Sequence, residues 1–216
     1  DGTLYNGDYI LTYKLVDFVV NYYQGTITFI IDAEAPDPVT NMMITAVDHP
    51  IYVAGGKRYL KAGETYLLNG TGPTTKADGS LLHIDFIMAD KLYNPTEVLL
   101  KSFSGGDIAA GTDTKNYMVE FEAVKDYEYF YAISYDRAGN TAKSDIISNI
   151  IVDAYAPTKP YDIEIERGEL NTVKVTGWAR DSLVQGKTSG MAYVYIYLNG
   201  EKVTWDHAGT YWDLSL

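Results

Sequence analysis

Polar and apolar residues alternate in short runs along most of the chain, which is the pattern of β-strands with one buried face. In the first run, Tyr9, Leu11, Tyr13 and Leu15 share a face, and Thr26–Ile31 follows as a hairpin partner. The later runs predicted as strands are Met42–Val47, Glu64–Asn69, Leu81–Ala89, Glu97–Phe103, Asn116–Val124, Tyr127–Tyr135, Asp145–Val152, Tyr161–Arg167, Asn171–Ala179, Met191–Leu198 and Tyr211–Leu216. Pro50–Gly63 is predicted to be an extra hairpin or loop. With no convincing helix, the pattern predicts an all-β fold.

Two stretches of the chain are alike. Asp17–Asn21 and Asp136–Asn140 each follow a strand, and each precedes another strand and a linker that starts with Asp-Ala and ends with Ala-Pro. The spacing is 119 residues at the first Asp of the turns and 121 at the first Asp of the linkers, Asp32 and Asp153. A repeat of this length corresponds to one β-sandwich domain rather than to a solenoid unit.

One position breaks the likeness between the two turns. Val20 stands where the second turn has Gly139. Because Val tolerates a positive φ poorly, the first turn is predicted to differ from the second.

The repeat predicts three antiparallel sandwiches in tandem. Residues 1–33 would be the last strands of a first domain, 39–153 a complete seven-stranded domain, and 160–216 the opening part of a third. The linkers between them are expected to be extended, because residues that precede Pro avoid the helical conformation. Within the third domain, Asn199-Gly200 is a strong signal for a two-residue hairpin turn.

Composition narrows the function. A hydrophobic share of 46% supports a buried core. The formal net charge of −12 disfavours binding to nucleic acid or to anionic membrane surfaces. No apolar stretch approaches the roughly 20 residues of a membrane-spanning helix, so no membrane insertion is expected in this segment. The 20 Tyr residues and the absence of Cys fit a bacterial or archaeal exported protein.

The turn and linker motifs resemble the bacterial Ig-like repeat. The likeness rests on Ala132–Thr141 with the linker Asp153–Pro157, and on Val175-Thr176-Gly177 followed by Ser189–Val194 and Tyr197–Gly200. Repeats of this family occur in large surface adhesins, in S-layer proteins and in accessory regions of secreted enzymes. The resemblance therefore implies Ig-like sandwiches, an extracellular location at the cell surface, and a structural role.

An Ig-like topology would bring acidic residues together where two domains join. The turn after the penultimate strand would place Asp136 and Asn140 beside the incoming linker, and Asp78 lies in a second turn that converges there. The linker contributes three acids, Asp32, Glu34 and Asp37. At the next junction the same topology would bring Asp153 and Asp162 towards Asp181.

Oxygen-rich clusters of this kind suit Ca²⁺, which accepts six to eight oxygen ligands in flexible geometry. The predicted metal ligands are Asp32, Asp37, Asp136, Asn140, Asp153 and Asp181. The alternative is purely structural: Asp and Asn favour turns because their side chains bond the local backbone, and Asp136 would then only tie its own turn to Asn140.

No catalytic constellation is visible. The chain has no G-x-S-x-G motif and no Cys nucleophile, and no pair of acids stands out as the pair a glycosidase needs. Trp178, Trp205 and Trp212 could form a sugar platform in the third domain, although Trp is more often a core residue, and core packing is favoured for Trp178 or Trp212.

The sequence thus predicts a non-catalytic structural segment of a prokaryotic S-layer protein or adhesin stalk. Its expected partners are neighbouring Ig-like domains or other copies of the protein. The alternative is an accessory region of a secreted glycoside-active enzyme that contacts carbohydrate, with cell-surface glycans as partners.

Overall fold

The computed structural model describes residues 6–169, 172–182, 189–207 and 211–215 of the 216-residue chain. In chain order its strands are β1 (Gly7–Val16), β2 (Tyr22–Ile31), β3 (Thr40–Ala46), β4 (Tyr52–Ala54), β5 (Lys57–Lys61), β6 (Thr65–Pro73), β7 (Leu81–Ala89), β8 (Glu97–Ser104), β9 (Thr114–Glu122), β10 (Tyr129–Asp136), β11 (Thr141–Lys143), β12 (Ile150–Asp153), β13 (Tyr161–Arg167), β14 (Val173–Trp178), β15 (Tyr193–Leu198), β16 (Glu201–His207) and β17 (Tyr211–Ser215). The described residues contain no α-helix and only short 3₁₀ segments such as Gly105–Asp107, so the all-β prediction is confirmed.

The chain forms two compact units. The first comprises Asp1–Thr45, Leu67–Phe121 and Tyr129–Ile147. The second comprises Ala46–Tyr66, Glu122–Glu128 and Ser148–Leu216. No helix in the described residues has the length and apolar character needed to cross a membrane.

The first unit contains the hairpin of β1 and β2. The two strands pair antiparallel along their whole length, from Gly7 opposite Ile31 to Val16 opposite Tyr22. The rings of Tyr9 and Phe29 stack across the strands with centroids 5.6 Å apart. The predicted hairpin and its aromatic face are therefore present.

The rest of the first unit is a two-layered sandwich. One layer is an antiparallel sheet with the order β11-β10-β7-β8, and the other is a sheet of β3, β6 and β9, most of whose residues belong to this unit. Aromatic rings from the two layers meet in the core. The ring centroids of Phe86 and Tyr117 are 6.3 Å apart, and those of Phe121 and Phe130 are 4.9 Å apart. Inward-facing positions on alternate residues of each strand produce this core, as the period-two pattern predicts.

The second unit holds three smaller sheets. Strand β5 pairs antiparallel with β4 and parallel with β12, while β13-β14-β17 and β15-β16 form the other two sheets. The predicted Asn199-Gly200 hairpin joins β15 to β16. A small apolar cluster forms around Val175, Ala179 and Val194.

One strand prediction is wrong. The run Asp145–Val152 was expected to be a single strand. Instead, Thr141–Lys143 pairs with β10, Ile147 makes an isolated bridge to Phe130, and Ile150–Asp153 pairs with β5. The predicted run therefore changes partner part-way along and holds an isolated bridge at Ile147 and the short strand β12.

Candidate functional site

The turn Asp136–Asn140 is a closed loop of hydrogen bonds. The Asp136 N–H donates to the Asn140 carbonyl oxygen at 3.1 Å, and the Asn140 N–H donates to Asp136 Oδ1 at 2.8 Å. The Asn140 Nδ2 group donates to Asp136 Oδ2 at 2.9 Å. Gly139 supplies the left-handed residue that closes the loop, with a φ of 94°. The Asp136 residue is only 2% exposed, so its carboxylate depends on these donors.

The hydrogen bonds set the protonation of this carboxyl group. Burial raises the pKa of Asp136, but the side chain and N–H of Asn140 and the N–H groups of the two residues before it lower it by more. The pKa of Asp136 therefore lies below its usual value, and the carboxylate is ionised at neutral pH.

The same Asn140 amide reaches the linker. Its Nδ2 atom donates to the Asp32 carbonyl oxygen at 3.0 Å and to the Glu34 carbonyl oxygen at 3.1 Å. Three oxygen atoms, these two carbonyls and Asp136 Oδ2, thus converge on one nitrogen. The predicted meeting of turn and linker is present, but the linker contributes backbone oxygens to it. Asp37 is exposed and has no hydrogen-bond partner within the described ranges.

The second converging turn is also in place. The Arg137 N–H donates to the Ser80 carbonyl oxygen at 2.9 Å, which joins the turn after β10 to the turn before β7. Asp78 remains within its own turn, where its Oδ1 accepts from the Ser80 N–H at 2.8 Å and from the Ser80 hydroxyl at 2.6 Å.

The first copy of the turn has the same hydrogen bonds, contrary to the sequence prediction. The Asn21 N–H donates to Asp17 Oδ1 at 2.8 Å, and Asn21 Nδ2 donates to Asp17 Oδ2 at 2.9 Å. Val20 takes the left-handed conformation of Gly139, with a φ of 72°. The Asp and Asn side chains therefore impose the loop strongly enough to hold a β-branched residue at positive φ. The hydrogen bond from the Asn21 side chain lowers the pKa of Asp17; burial opposes this effect, and the N–H groups of Asn21 and Val19 lower the pKa further.

Asp153 and Asp181 meet through a pair of backbone N–H groups. The Ser189 N–H donates to Asp153 Oδ2 at 2.9 Å, and the Gly190 N–H donates to Asp181 Oδ2 at 2.9 Å. The Tyr155 N–H donates to the other Asp153 oxygen at 3.0 Å.

The linker of the second unit is held by further bonds. Thr158 donates to the Arg180 carbonyl oxygen through its N–H and its hydroxyl, both at 2.9 Å, and the Ser182 hydroxyl donates to the Ala156 carbonyl oxygen at 2.6 Å. Asp162, which was expected at this junction, makes no hydrogen bond to Asp153 or Asp181.

Neither junction assembles a cluster of acidic side chains. Across the described ranges, no group of three or more His, Asp or Glu side chains is placed to hold a metal ion. The oxygen atoms gathered at the first junction come from one carboxylate and two backbone carbonyls, which is a smaller set than Ca²⁺ usually takes. The calcium prediction remains a prediction.

Comparisons with known proteins find likenesses among solved structures. No family model and no curated protein matches the chain. The chain is similar to a solved structure of a Ca²⁺-stabilized adhesin that helps an Antarctic bacterium reach out and bind ice, with 16% identity and a TM-score of 0.39. The alignment covers 97% of this chain and 48% of the other, so the chain spans about half the length of that structure. A likeness at this TM-score assigns neither family nor function.

Of the three Trp residues that could form a sugar platform, the structure describes the side chain of Trp178. Trp178 is 39% exposed and is therefore not a core residue. The side chains of Trp205 and Trp212 lie outside the described part of the chain.

The sequence reading missed the donors that hold the linkers. Ser189, Gly190 and Thr158 act through backbone N–H groups, and no residue type marks a backbone donor.

Proposed function

We propose that the chain is a non-catalytic structural segment of a prokaryotic cell-surface protein, an adhesin stalk or an S-layer-type protein built from Ig-like sandwiches in tandem. The observation that carries the proposal is the Asn140 amide, which bonds its own turn and two carbonyls of the linker at once. The repeat of the turn at Asp17–Asn21 supports it, because one device recurs at the spacing of one domain.

The proposed role is mechanical. A linker held only by its two ends would swing freely, whereas a linker bonded to the end of a sandwich transmits load along a defined direction. The hydrogen bonds from Asn140 to Asp32 and Glu34 restrict the linker where it enters the sandwich. The partners of such a segment are neighbouring Ig-like domains or other copies of the protein, outside the cell.

The Asn140→Ala variant tests the linker contact directly. It removes the amide that holds the two carbonyls, so residues 33–35 should gain motion on the picosecond-to-nanosecond timescale. The measurement is the ¹⁵N heteronuclear NOE of those residues in the full chain, which should fall in the variant.

The matched control is Asn21→Ala. It breaks the same loop in the other copy, where Asn21 bonds Asp17 and no other residue of the described ranges. The NOE values at 33–35 should then stay at the wild-type level. Equal values in the Asn140→Ala variant and the wild type would contradict the proposed role of the amide.

Calcium is the finer part of the proposal. At the first junction Asp136, the Asn140 side-chain oxygen and the carbonyls of Asp32 and Glu34 would be ligands, once the Asn140 amide turns its oxygen towards them. The exposed carboxylate of Asp37 would add charge. At the second junction the carboxylates of Asp153 and Asp181 would be the Ca²⁺ ligands. Bound Ca²⁺ would cross-link linker and sandwich and would stiffen the segment further, at the weak affinity of roughly 10⁻⁴–10⁻³ M typical of extracellular modules.

Thermal melting with excess Ca²⁺ and with EDTA tests this part. We expect a higher midpoint with Ca²⁺ in the wild type, because a ligand that binds only the folded state stabilises it. In Asp136→Asn the gap between the two conditions should shrink. Identical curves for the wild type in Ca²⁺ and EDTA would remove calcium from the proposal and leave the amide contact intact.

A further inference from the structure

A groove in the second unit is formed by the β4–β5 hairpin and the segment that follows β12. Its volume is about 460 Å³. That size lies within the range of roughly 300–1,000 Å³ found for small-molecule sites. The hairpin belongs to the Pro50–Gly63 segment, which the sequence set apart as an insertion and which the proposed mechanical role does not use.

Tyrosine rings form one wall of the groove. Tyr52 and Tyr59 are cross-strand neighbours whose ring centroids are 5.8 Å apart, with the ring planes inclined at 43°. Tyr52 is 55% exposed. Neither of the two hydroxyl groups has a hydrogen-bond partner among the residues that the structure describes. The wall therefore offers flat apolar surface together with two free polar groups.

The charged side chains around the groove are already engaged. Lys61 Nζ lies 2.6 Å from a carboxylate oxygen of Glu64, outside the groove lining. Asp153 accepts the N–H groups of Tyr155 and Ser189. Lys61 is the one Lys or Arg in the groove's described lining and it is paired, so an anionic ligand would find no free positive charge there and would lose its hydration without compensation. A cationic organic ligand would have to compete with the two backbone N–H groups that already occupy the Asp153 carboxylate. The groove is therefore suited to a neutral ligand.

We propose that this groove binds a neutral saccharide. A sugar ring has an apolar C–H face that packs on an aromatic ring and a rim of hydroxyl groups that bond to polar groups beside it. The rings of Tyr52 and Tyr59 would pack against the apolar face of the sugar, and their hydroxyl groups would bond to the sugar hydroxyls.

A proline-rich peptide is the other class of ligand that docks on tyrosine-lined grooves. Such a peptide advances about 3 Å per residue in polyproline II form and needs a succession of aromatic ridges. Tyr52 and Tyr59 make one short platform, and the third tyrosine of the lining, Tyr155, has Lys125 Nζ over its ring at 5.1 Å from the centroid. A single short platform fits a sugar ring better than an extended peptide.

The test is a titration of the ¹⁵N-labelled full chain, followed by amide chemical shifts. The probes are neutral tetrasaccharides, namely β-1,4-glucan, α-1,4-glucan, β-1,4-mannan and chitin fragments, and a proline-rich decapeptide. At least one saccharide should shift the amides of β4, β5 and residues 153–157. Loss of one stacking ring, in Tyr52→Ala or Tyr59→Ala, should weaken binding by about two- to twelvefold, given roughly 0.5–1.5 kcal/mol for such a contact.

Tyr197→Ala is the matched control. Tyr197 is 60% exposed on β15 and does not line the groove, so its loss should leave the affinity unchanged. Tyr52 is the more exposed of the two groove residues, and Tyr52→Ala keeps the test decisive if Tyr59→Ala fails to fold.

Three results would overturn the proposal: no saccharide shifts these amides, the decapeptide alone does so, or the affinity in Tyr52→Ala equals that of the wild type. Any of them would leave the proposed structural role untouched, because that role depends on Asn140.

Discussion

At the scale of single residues, the Asn140 side chain joins local and distant parts of the first unit. It was expected beside the linker from the repeat of the turn and the order of strands in a sandwich, and it lies there. The expectation that linker carboxylates would face it was only partly right, because Asp32 and Glu34 contribute their carbonyl oxygens. Side-chain chemistry can be read from a sequence, whereas the use of a backbone atom requires knowledge of the path of the chain.

The lowered pKa of Asp136 predicts that the stability of the folded chain depends on pH. Its pKa in the folded chain is below the value of about 3.9 expected in the unfolded chain. Its contribution to the free energy of unfolding is therefore complete above about pH 4 and is lost as the pH falls through the folded pKa. Urea unfolding should show Asp136→Asn less stable than the wild type at pH 7, with the difference shrinking towards acid.

The control for this prediction is Asp37→Asn. Asp37 is exposed and has no partner in the described ranges, so its variant should track the wild type at every pH. A stability difference for Asp136→Asn that stays constant from pH 7 to acid would contradict the assignment.

Gly139 gives a second test of the same turn. Its φ of 94° is costly for a residue with a Cβ atom, so Gly139→Ala should lower the free energy of unfolding by about 1 kcal/mol. Urea unfolding measures the change, with Gly79→Ala as a control that has open space and no positive φ. The variant should still fold, because Val20 already occupies the same place in the other turn. A variant as stable as the control would show that the loop is not strained by a side chain.

At the scale of secondary structure, alternation located the strands and could not assign their partners. Leu81–Ala89 and Tyr161–Arg167 were predicted at their observed bounds. Asp145–Val152 was predicted as one strand, yet it changes from a partner in β10 to a partner in β5. The period-two pattern is the same whichever strand lies alongside, so the sequence could not reveal the change.

The close packing of side chains around Gly70 in β6 leads to a prediction at the scale of secondary structure. A Cβ atom added at Gly70 in β6 would lie 2.6 Å from Val39 Cγ1 and 2.7 Å from Met42 Sδ. Gly70→Ala should therefore lower the free energy of unfolding by about 1–3 kcal/mol through overpacking. Gly111→Ala is the control, since nothing lies within 4 Å of an added Cβ there. Equal unfolding midpoints for the two variants would show that the Val39 and Met42 side chains can move aside at no cost.

At the scale of the whole molecule, acidity is the dominant property. A formal net charge of −12 acts against any compact state through self-repulsion. The division into three domains, 1–33, 39–153 and 160–216, stays a prediction from the repeat. The all-β class was predictable because it depends on local alternation, as in β9, where exposed and buried residues alternate from Asn116 to Glu122.

Screening of this charge should stabilise the chain. Raising NaCl towards 0.15 M shortens the Debye length to about 8 Å, so the melting temperature should rise. Differential scanning calorimetry at several salt concentrations measures the effect. A melting temperature that falls as NaCl rises would contradict it. A comparison of the melting temperature in Mg²⁺ with that in Ca²⁺, at equal ionic strength, distinguishes charge screening from specific binding. Screening alone gives the same melting temperature with both ions.

The amide of Asn140 contacts oxygen atoms that every amino acid possesses. Substitutions of the linker side chains at positions 32–34 therefore leave its two hydrogen bonds available, provided that the chain stays extended. A contact of this kind does not depend on side chains, so it would survive a change of the first linker from Asp-Ala-Glu-Ala-Pro to the Asp-Ala-Tyr-Ala-Pro of the second. In the tandem arrangement proposed above, it would let modules be gained, lost or exchanged while the linker that enters the sandwich stays seated in the same way.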